Sequence, residues 1–177
     1  MLYFDIFTVK TISMSSDFIK DLGYKALDSR FKRISDRMAH DVRKLYKELR
    51  IDVEPNWYLV FMLLQKSGEI SMVTIADALG YAHPSVVALV KKMSNKGYVL
   101  VKKDQADKRK QMVSLSPKAV KLLPQLEQIW HSCENAILEL LSDDLAILQY
   151  LDQIDAALKN TSFHQRFKQS YLKTNES

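Results

Sequence analysis

The sequence has little of what disulfide frameworks, many-stranded β folds and membrane proteins need. Its 177 residues include one cysteine, four glycines and four prolines. The single cysteine, Cys133, excludes an internal disulfide and any CxxC metal or redox motif. So few turn-forming residues argue against many short strands and favour long helices. No apolar run approaches the roughly 20 residues of a membrane span. The first residues also lack the basic start of a signal peptide, so we expect a cytoplasmic protein that does not enter the membrane.

What the chain does contain is a local excess of positive charge. Its net charge is +5, from 26 Lys and Arg against 21 Asp and Glu. Residues 81–115 alone hold eight basic and two acidic residues, a net charge of +6. Five of the nine residues 102–110 are basic and two are aspartates. Two interpretations are open for this stretch: a solvated turn, which is the usual place for a run of charge, and a surface for a polyanion.

Apolar residues at helical spacing predict helices in the first third of the chain. One long helix is expected over residues 17–49, with an apolar stripe at intervals of three and four and a weak point at Gly23. A second helix is expected from Pro55, which suits a first turn, to Gly68, which suits a left-handed cap. Both helices would precede the basic segment.

The next segment predicts two short helices that cross sharply. They run from about Met72 to Leu79 and from Pro84 to about Lys96, and only about four residues join them. Gly80 suits the unusual backbone angles that such a turn requires. The pattern is that of a helix-turn-helix.

A β-hairpin and further helices complete the pattern. β-Prone runs at residues 98–103 and 110–115 are separated by a polar turn that contains the basic cluster. Ser116 then caps a new helix, in which a bend is expected at Pro124. Ser142 is expected to open the last long helix.

This succession resembles the MarR family of winged helix-turn-helix transcriptional regulators. The stretch GYAHPSVVALVKKMSNKGYV is similar to the family's recognition helix, although Ala82 stands where Ser or Thr often caps that helix. The resemblance covers roughly residues 17–159. The family's D-x-R and Leu-Thr-Pro signature is matched, with Ser in place of the usual Thr, by Asp107, Arg109, Leu115, Ser116 and Pro117.

The resemblance implies a mainly α fold: a winged helix-turn-helix head, with a three-helix core and a β-hairpin wing, between long N- and C-terminal dimerisation helices. It also implies a homodimer that binds double-stranded DNA and regulates transcription, as a repressor, with an affinity that a small ligand modulates. The expected division of the chain is a dispensable leader at 1–16, a dimerisation helix at 17–50, the head at 51–116, and dimerisation helices with a tail at 117–177.

The second helix of the helix-turn-helix is expected to read DNA with one face and to pack with the other. Its first turns offer no arginine, glutamine or asparagine for bidentate pairing with a base, whereas small apolar side chains suit thymine methyl groups. We therefore expect an A·T-rich palindromic site. The predicted inward face is Val86, Leu89, Val90 and Met93. The predicted DNA-facing residues are Ser85, Val87, Ala88, Lys91 and Lys92.

The hairpin tip is expected to lie over the minor groove as a wing. Arg109 is the residue that we expect to enter the groove, and Asp107 is expected to hold it by a charge-assisted hydrogen bond. The lysines would bind the phosphate backbone without reading sequence. These are Lys102, Lys103, Lys108 and Lys110.

A ligand cleft and core packing are alternative interpretations of three aromatic residues. Trp57, Tyr58 and Phe61 could line a cleft between the head and the dimerisation helices, or could form part of the core. Cys133 lies on an apolar helical stripe, where a buried thiol is inert.

No enzyme and no cofactor are predicted. The histidines lie far apart without the spacing of metal ligands, and no nucleophile–base pair or glycine-rich phosphate loop is present. The alternative to a DNA-binding regulator is a winged-helix module that joins proteins without specific DNA binding.

Overall fold

The computed structural model describes residues 17–175, which fall into two compact units, the first ending at Ser116 and the second beginning at Pro117. The first unit contains α1 (Phe18–Asp21), α2 (Leu27–Glu48), α3 (Tyr58–Ser67), β1 (Ile70–Ser71), α4 (Met72–Leu79), α5 (His83–Asn95), β2 (Val99–Lys103) and β3 (Gln111–Leu115). The second contains α6 (Pro117–Leu140), α7 (Ala146–Asn160) and α8 (Phe163–Asn175). The predicted mainly helical, winged helix-turn-helix fold is confirmed. The expected leader, residues 1–16, lies outside the described residues.

The N-terminal helix is interrupted where a single helix was expected over residues 17–49. The four-residue α1 is followed by a 3₁₀ turn at Gly23–Ala26, and α2 begins only at Leu27. Gly23 has φ +57°, in the left-handed region that an α-helix does not use. The prediction of one continuous helix was therefore wrong over its first ten residues. The interruption lies at Gly23, which the sequence had indicated as a weak point.

An ion pair holds the short α1 against α2. The carboxylate of Asp17 accepts hydrogen bonds from Arg33 Nη1 at 2.7 Å and Nη2 at 2.9 Å. The same carboxylate caps α1 by accepting the Lys20 N–H at 3.2 Å. These bonds, with that from Arg33 as the largest cause, lower the pKa of Asp17 to about 2. Arg33 and Asp17 keep 34% and 43% of their side-chain surface exposed, so solvent screens the pair, which orients α1 more than it stabilises the fold.

A small antiparallel sheet joins the head to its wing. The strand order is β1–β3–β2, and Val113 of β3 lies opposite both Ile70 and Val101. The hairpin was predicted to within one residue at each strand, but the two-residue β1 was not. Val113 is fully buried, as are Val60 of α3 and Ile75 of α4, so the sheet closes over the same core as the helices.

The helix-turn-helix was predicted to within a residue. Helices α4 and α5 are bent by 116° at their break, within the range that this motif uses. Gly80 lies there with φ +64° and ψ 25°, and the N–H of Tyr81 donates to the carbonyl of Ala76 at 3.0 Å. Ser71 caps α4 by accepting the Thr74 N–H at 3.0 Å. Local residues therefore determine where each helix ends.

The second unit departs from the sequence-based expectation in two places. Helix α7 begins at Ala146, because Ser142 and Asp143 have positive φ and Asp144 accepts the Ala146 N–H at 2.9 Å. The expected start at Ser142 was therefore wrong. A separate α8 follows, and its signal in the sequence is a capping box, in which Ser162 Oγ accepts the Gln165 N–H at 3.2 Å. Helix α6 continues through Pro124.

Within residues 17–175, no single helix combines the length and the apolar character of a membrane span. Helices α4 and α5 reach that composition only together, as the bent pair of the helix-turn-helix.

Replacing Gly80 by alanine should lower the free energy of unfolding by about 1–2 kcal/mol, the usual cost of left-handed backbone for a residue with a Cβ atom. A Cβ atom at this position meets nothing within 4 Å, so backbone strain is the cause and a steric clash is not. Gly80→Asn is the matched control, because asparagine tolerates this conformation and should lose less. Chemical denaturation measures both variants. An alanine variant as stable as the original protein would contradict the strain.

Candidate nucleic-acid interface

Helix α5 has one face buried in the head and one face exposed. Val86, Leu89, Val90 and Met93 are at most 8% exposed, which confirms the predicted inward face. They recur at intervals of three, one and three, so they form a single stripe along the helix. This packing fixes how the opposite face of α5 is presented.

The start of α5 lacks a side-chain cap. Ala82 is the N-cap residue, has extended backbone angles and forms no side-chain hydrogen bond to the helix. Its carbonyl accepts the N–H groups of Ser85 at 2.9 Å and Val86 at 3.2 Å. The weak helix start that Ala82 predicted is therefore present.

The exposed face of α5 contains most of the predicted DNA-facing residues. Ser85, Ala88, Lys91 and Lys92 are exposed, whereas Val87 is half-buried. Among residues 17–175, no salt bridge involves either lysine. The two ammonium groups are consequently available to an anionic partner.

An open cleft of about 830 Å³ lies between α5, the end of α2 and the 3₁₀ turn that precedes α3. Cationic groups of Arg43, Lys92 and Lys96 line it, with Glu54 as an acidic member. Lys96 also forms an ion pair with Asp52, and this hydrogen bond raises the pKa of Lys96. Three of the predicted DNA-facing residues also line the cleft: Ser85, Ala88 and Lys92.

The three aromatic residues of the predicted ligand cleft lie in different surroundings. Trp57 and Phe61 are 1% and 0% exposed, and their rings pack edge-on against Tyr98 with centroid distances of 5.7 and 5.9 Å. Burial raises the pKa of Tyr98. Tyr58 is 40% exposed, and of the three predicted residues Trp57 lines the cleft described above. This geometry favours core packing for Trp57 and Phe61.

The tip of the wing contains the predicted pairing of Asp107 with Arg109. The Oδ1 atom of Asp107 accepts hydrogen bonds from Arg109 Nε at 3.2 Å and from the Arg109 backbone N–H at 3.1 Å. The side chain of Arg109 remains 92% exposed. The guanidinium is therefore oriented by a carboxylate and still open to a partner.

A second carboxylate, Asp104, organises the wing and was not singled out by the sequence. Its Oδ1 atom accepts the backbone N–H groups of Asp107 at 2.7 Å and Ala106 at 2.9 Å. These two bonds, in that order, lower the pKa of Asp104. The signal that could have revealed it is an aspartate at the end of a strand in a turn, where Asp bonds to nearby backbone groups.

The wing lysines are not equivalent. Lys102 Nζ lies 2.8 Å from Glu69 Oε2, so its charge is partly compensated within the protein. Lys103, Lys108 and Lys110 are exposed and form no salt bridge within residues 17–175. These three are the better candidates for contacts to phosphate.

The remaining candidate residues lie in the second unit. Cys133 is half-buried on α6, and the nearby His131 Nδ1 lies 3.5 Å from Glu134 Oε2. No group of three or more His, Cys, Asp or Glu side chains in the described part of the chain is placed to hold a metal ion.

Residues 51–110 match the model of the MarR family. Over this segment the winged-helix head is similar to the MarR family. The matched segment ends inside the wing and includes α3, α4, α5 and Arg109. Proteins of this family are DNA-binding transcription regulators and not enzymes, as the sequence led us to expect.

Solved structures of MarR-family regulators share the fold. CouR, a transcriptional repressor bound to a DNA duplex, is 23% identical; the match covers 76% of this chain and 96% of that chain, with a TM-score of 0.62. A mutant MarR from E. coli complexed with operator DNA is 18% identical, with 78% and 97% coverage and a TM-score of 0.60. MepR of S. aureus in complex with DNA is 20% identical, with 76% and 94% coverage and a TM-score of 0.57.

Substituting Cys133 by serine should leave DNA affinity unchanged within about twofold, with or without peroxide, because a half-buried thiol on a helix resembles a small apolar side chain. Affinity is measured by fluorescence anisotropy before and after peroxide treatment. Cys133→Ala is the matched control for packing. A peroxide-induced release that is present in the original protein and absent from both variants would make Cys133 a sensor.

Proposed function

We propose that the protein is a sequence-specific transcriptional regulator that binds an A·T-rich palindromic DNA site as a homodimer and acts as a repressor. The observation that carries this proposal is Arg109, whose guanidinium is held by Asp107 at the wing tip and is 92% exposed. A guanidinium that protrudes from a wing suits a narrow minor groove, where A·T-rich sequence concentrates negative potential.

The recognition helix supplies the second part of the proposed contact. Lys91 and Lys92 lie on the exposed face of α5, where they suit phosphates, and Ser85 and Ala88 suit base edges and thymine methyl groups. Because the α5 face offers small side chains in place of arginine or glutamine, much of the sequence preference would come from groove shape. This supports an A·T-rich site.

Exposed apolar side chains support the homodimer. In the first unit, α2 exposes Phe31, Ile34 and Met38 along one stripe. In the second unit, α7 and α8 expose further large apolar residues, including Leu148 and Phe167. A soluble monomer rarely exposes so much apolar surface. Two-fold symmetry would place two recognition helices on two half-sites, which accounts for a palindrome.

The cleft beside α5 supports modulation by a small ligand. Arg43, Lys92 and Lys96 give it an excess of positive charge, so an anionic aromatic or carboxylate compound is the class that fits. Ser85 and Lys92 belong both to the cleft and to the proposed DNA-binding face. A ligand that engaged them would weaken DNA binding and relieve repression.

A winged-helix module that joins proteins is the alternative. It would not need the net charge of +6 over residues 81–115, and its complex would respond little to salt. A regulator that contacts several phosphates loses DNA affinity steeply as salt rises, because counterions are released on binding. The salt dependence of binding therefore separates the two functions.

Arg109→Ala should weaken binding to the specific duplex by about 1–3 kcal/mol and relax the preference for A·T pairs beside the half-sites, because it removes a contact that depends on groove shape. The specific duplex is first selected from a random pool with the original protein, and a scrambled duplex of equal composition is the comparison. Anisotropy titrations measure both affinities.

Lys103→Ala is the matched control, because Lys103 is exposed on the same wing and would contact phosphate alone. It should weaken both duplexes alike and reduce the slope of affinity against salt by about one unit. If neither substitution changed either affinity, the wing would be a solvated turn and the proposed function would lose its main support.

The protein should be a dimer at micromolar concentration, because a stable interface is the simplest way to cover the exposed apolar stripe of α2. Light scattering coupled to size exclusion measures the mass. Ile34→Glu should shift the mass toward the monomer, whereas Ser35→Glu, which adds the same charge at the next position, should not. A folded monomer of the unmodified chain would contradict the proposed architecture.

A further inference from the structure

We propose that Asp104 is a positioning residue for DNA recognition: through Asp107, it sets the orientation in which Arg109 reaches the groove. The inference rests on the proposed function, because it concerns how the wing presents its arginine to DNA. It assigns a role to a carboxylate that would, by charge alone, oppose binding to a polyanion.

The geometry is a chain of hydrogen bonds from one carboxylate to the next. Asp104 Oδ1 accepts the Asp107 N–H at 2.7 Å, which fixes the backbone of Asp107. Asp107 Oδ1 in turn accepts Arg109 Nε at 3.2 Å and the Arg109 N–H at 3.1 Å. The orientation of the guanidinium thus depends on a backbone that Asp104 holds.

The backbone of the tip closes around the same residue. The Asp104 N–H donates to the Lys110 carbonyl at 3.0 Å, and the Lys110 N–H donates to the Asp107 carbonyl at 2.8 Å. Asp104 also holds Ala106 by accepting its N–H at 2.9 Å. Asp104 therefore fixes both ends of the loop that carries Arg109.

Exposure separates the acidic from the basic side chains of the tip. Asp104 and Asp107 are half-buried, whereas Lys103, Lys108 and Arg109 are exposed. The carboxylates are directed toward the backbone of the loop and the cations toward solvent. This arrangement is expected when the aspartates serve the shape of the loop and the cations serve an external partner.

Charge and positioning predict opposite effects for the loss of Asp104. Removing a negative charge from a basic loop should strengthen binding to any DNA by simple attraction. Removing the acceptor of two backbone hydrogen bonds should instead free the loop, so that Arg109 binds the specific site less well. The sign of the change therefore distinguishes the two roles.

The test compares three substitutions on the full chain, with the selected duplex and the scrambled duplex as probes. Asp104→Ala removes both the charge and the hydrogen-bond acceptor. This variant should bind the selected duplex at least about threefold more weakly, because it loses part of one specific arginine contact. It should bind the scrambled duplex as tightly as the original protein does, or more tightly. Asp104→Asn removes the charge but keeps the acceptor oxygen, so it should discriminate between the duplexes within about twofold of the original protein. Asp104→Ser, a weaker acceptor, should fall between them.

A double substitution tests whether Asp104 acts through Arg109. In a chain that already carries Arg109→Ala, adding Asp104→Ala should cause no further loss of discrimination, since the two residues would serve one contact. A general folding defect caused by Asp104→Ala would instead lower the affinity for both duplexes, and it would do so also in the chain that already carries Arg109→Ala. Thermal unfolding of each variant identifies such a defect, and the serine and asparagine variants then carry the comparison.

The outcomes separate this inference from the proposed function. If Arg109→Ala loses discrimination but Asp104→Ala binds both duplexes more tightly, Asp104 is only a nearby charge and the inference fails alone. The inference also fails alone if the two substitutions lose discrimination additively. If the original protein prefers no duplex, the proposed function and the inference are both overturned.

Discussion

The arrangement of the head depends on the edge-on packing of Tyr98 against Trp57 and Phe61. Tyr98 lies between the end of α5 and the start of β2, so a single side chain links the recognition helix and the wing to the core beside α3. Its carbonyl also accepts the Ser116 N–H at 3.0 Å, and Ser116 Oγ donates to the Gly97 carbonyl at 2.6 Å. The two proposed DNA-binding elements are therefore fixed to one junction, and their relative placement does not depend on the exposed residues that would touch DNA.

The charged residues of the head follow the same division between shape and contact. Carboxylates with backbone partners lie partly buried, as Asp104 does, and the cations beside them lie outside. Glu69 departs from this pattern, since it pairs with Lys102 and removes one lysine from the set available to phosphate. A count of basic residues in the sequence therefore overstates the number of possible phosphate contacts. The positions of the carboxylates determine which cations stay available to phosphate.

The parts of the fold that were predictable from the sequence are those set by local chemistry. Gly80 determined the turn of the helix-turn-helix, and two β-prone runs on either side of a polar turn predicted the strands of the wing to within a residue. The buried stripe of α5 was also predictable, because apolar residues spaced three and four apart lie on one face of a helix. The features that were missed depend on side-chain contacts with partners that are distant in sequence or that lie in an irregular loop. The pairing of Arg33 with Asp17 orients a short α1, which periodicity cannot distinguish from the first turns of α2. The hydrogen bonds of Asp104 can be recognised only once the loop is folded.

The position of the cleft gives the exposed face of α5 two distinct sides. Ser85 and Lys92 border the cleft beside α2, whereas Lys91 lies on the same face but does not line the cleft. A molecule in the cleft and a DNA duplex on the helix would use the first two residues in common, so occupancy of either would oppose occupancy of the other. Thermodynamic linkage requires this opposition to be reciprocal and equal in free energy. In a head fixed at Tyr98, such coupling needs no movement of α5, because competition for shared side chains is sufficient.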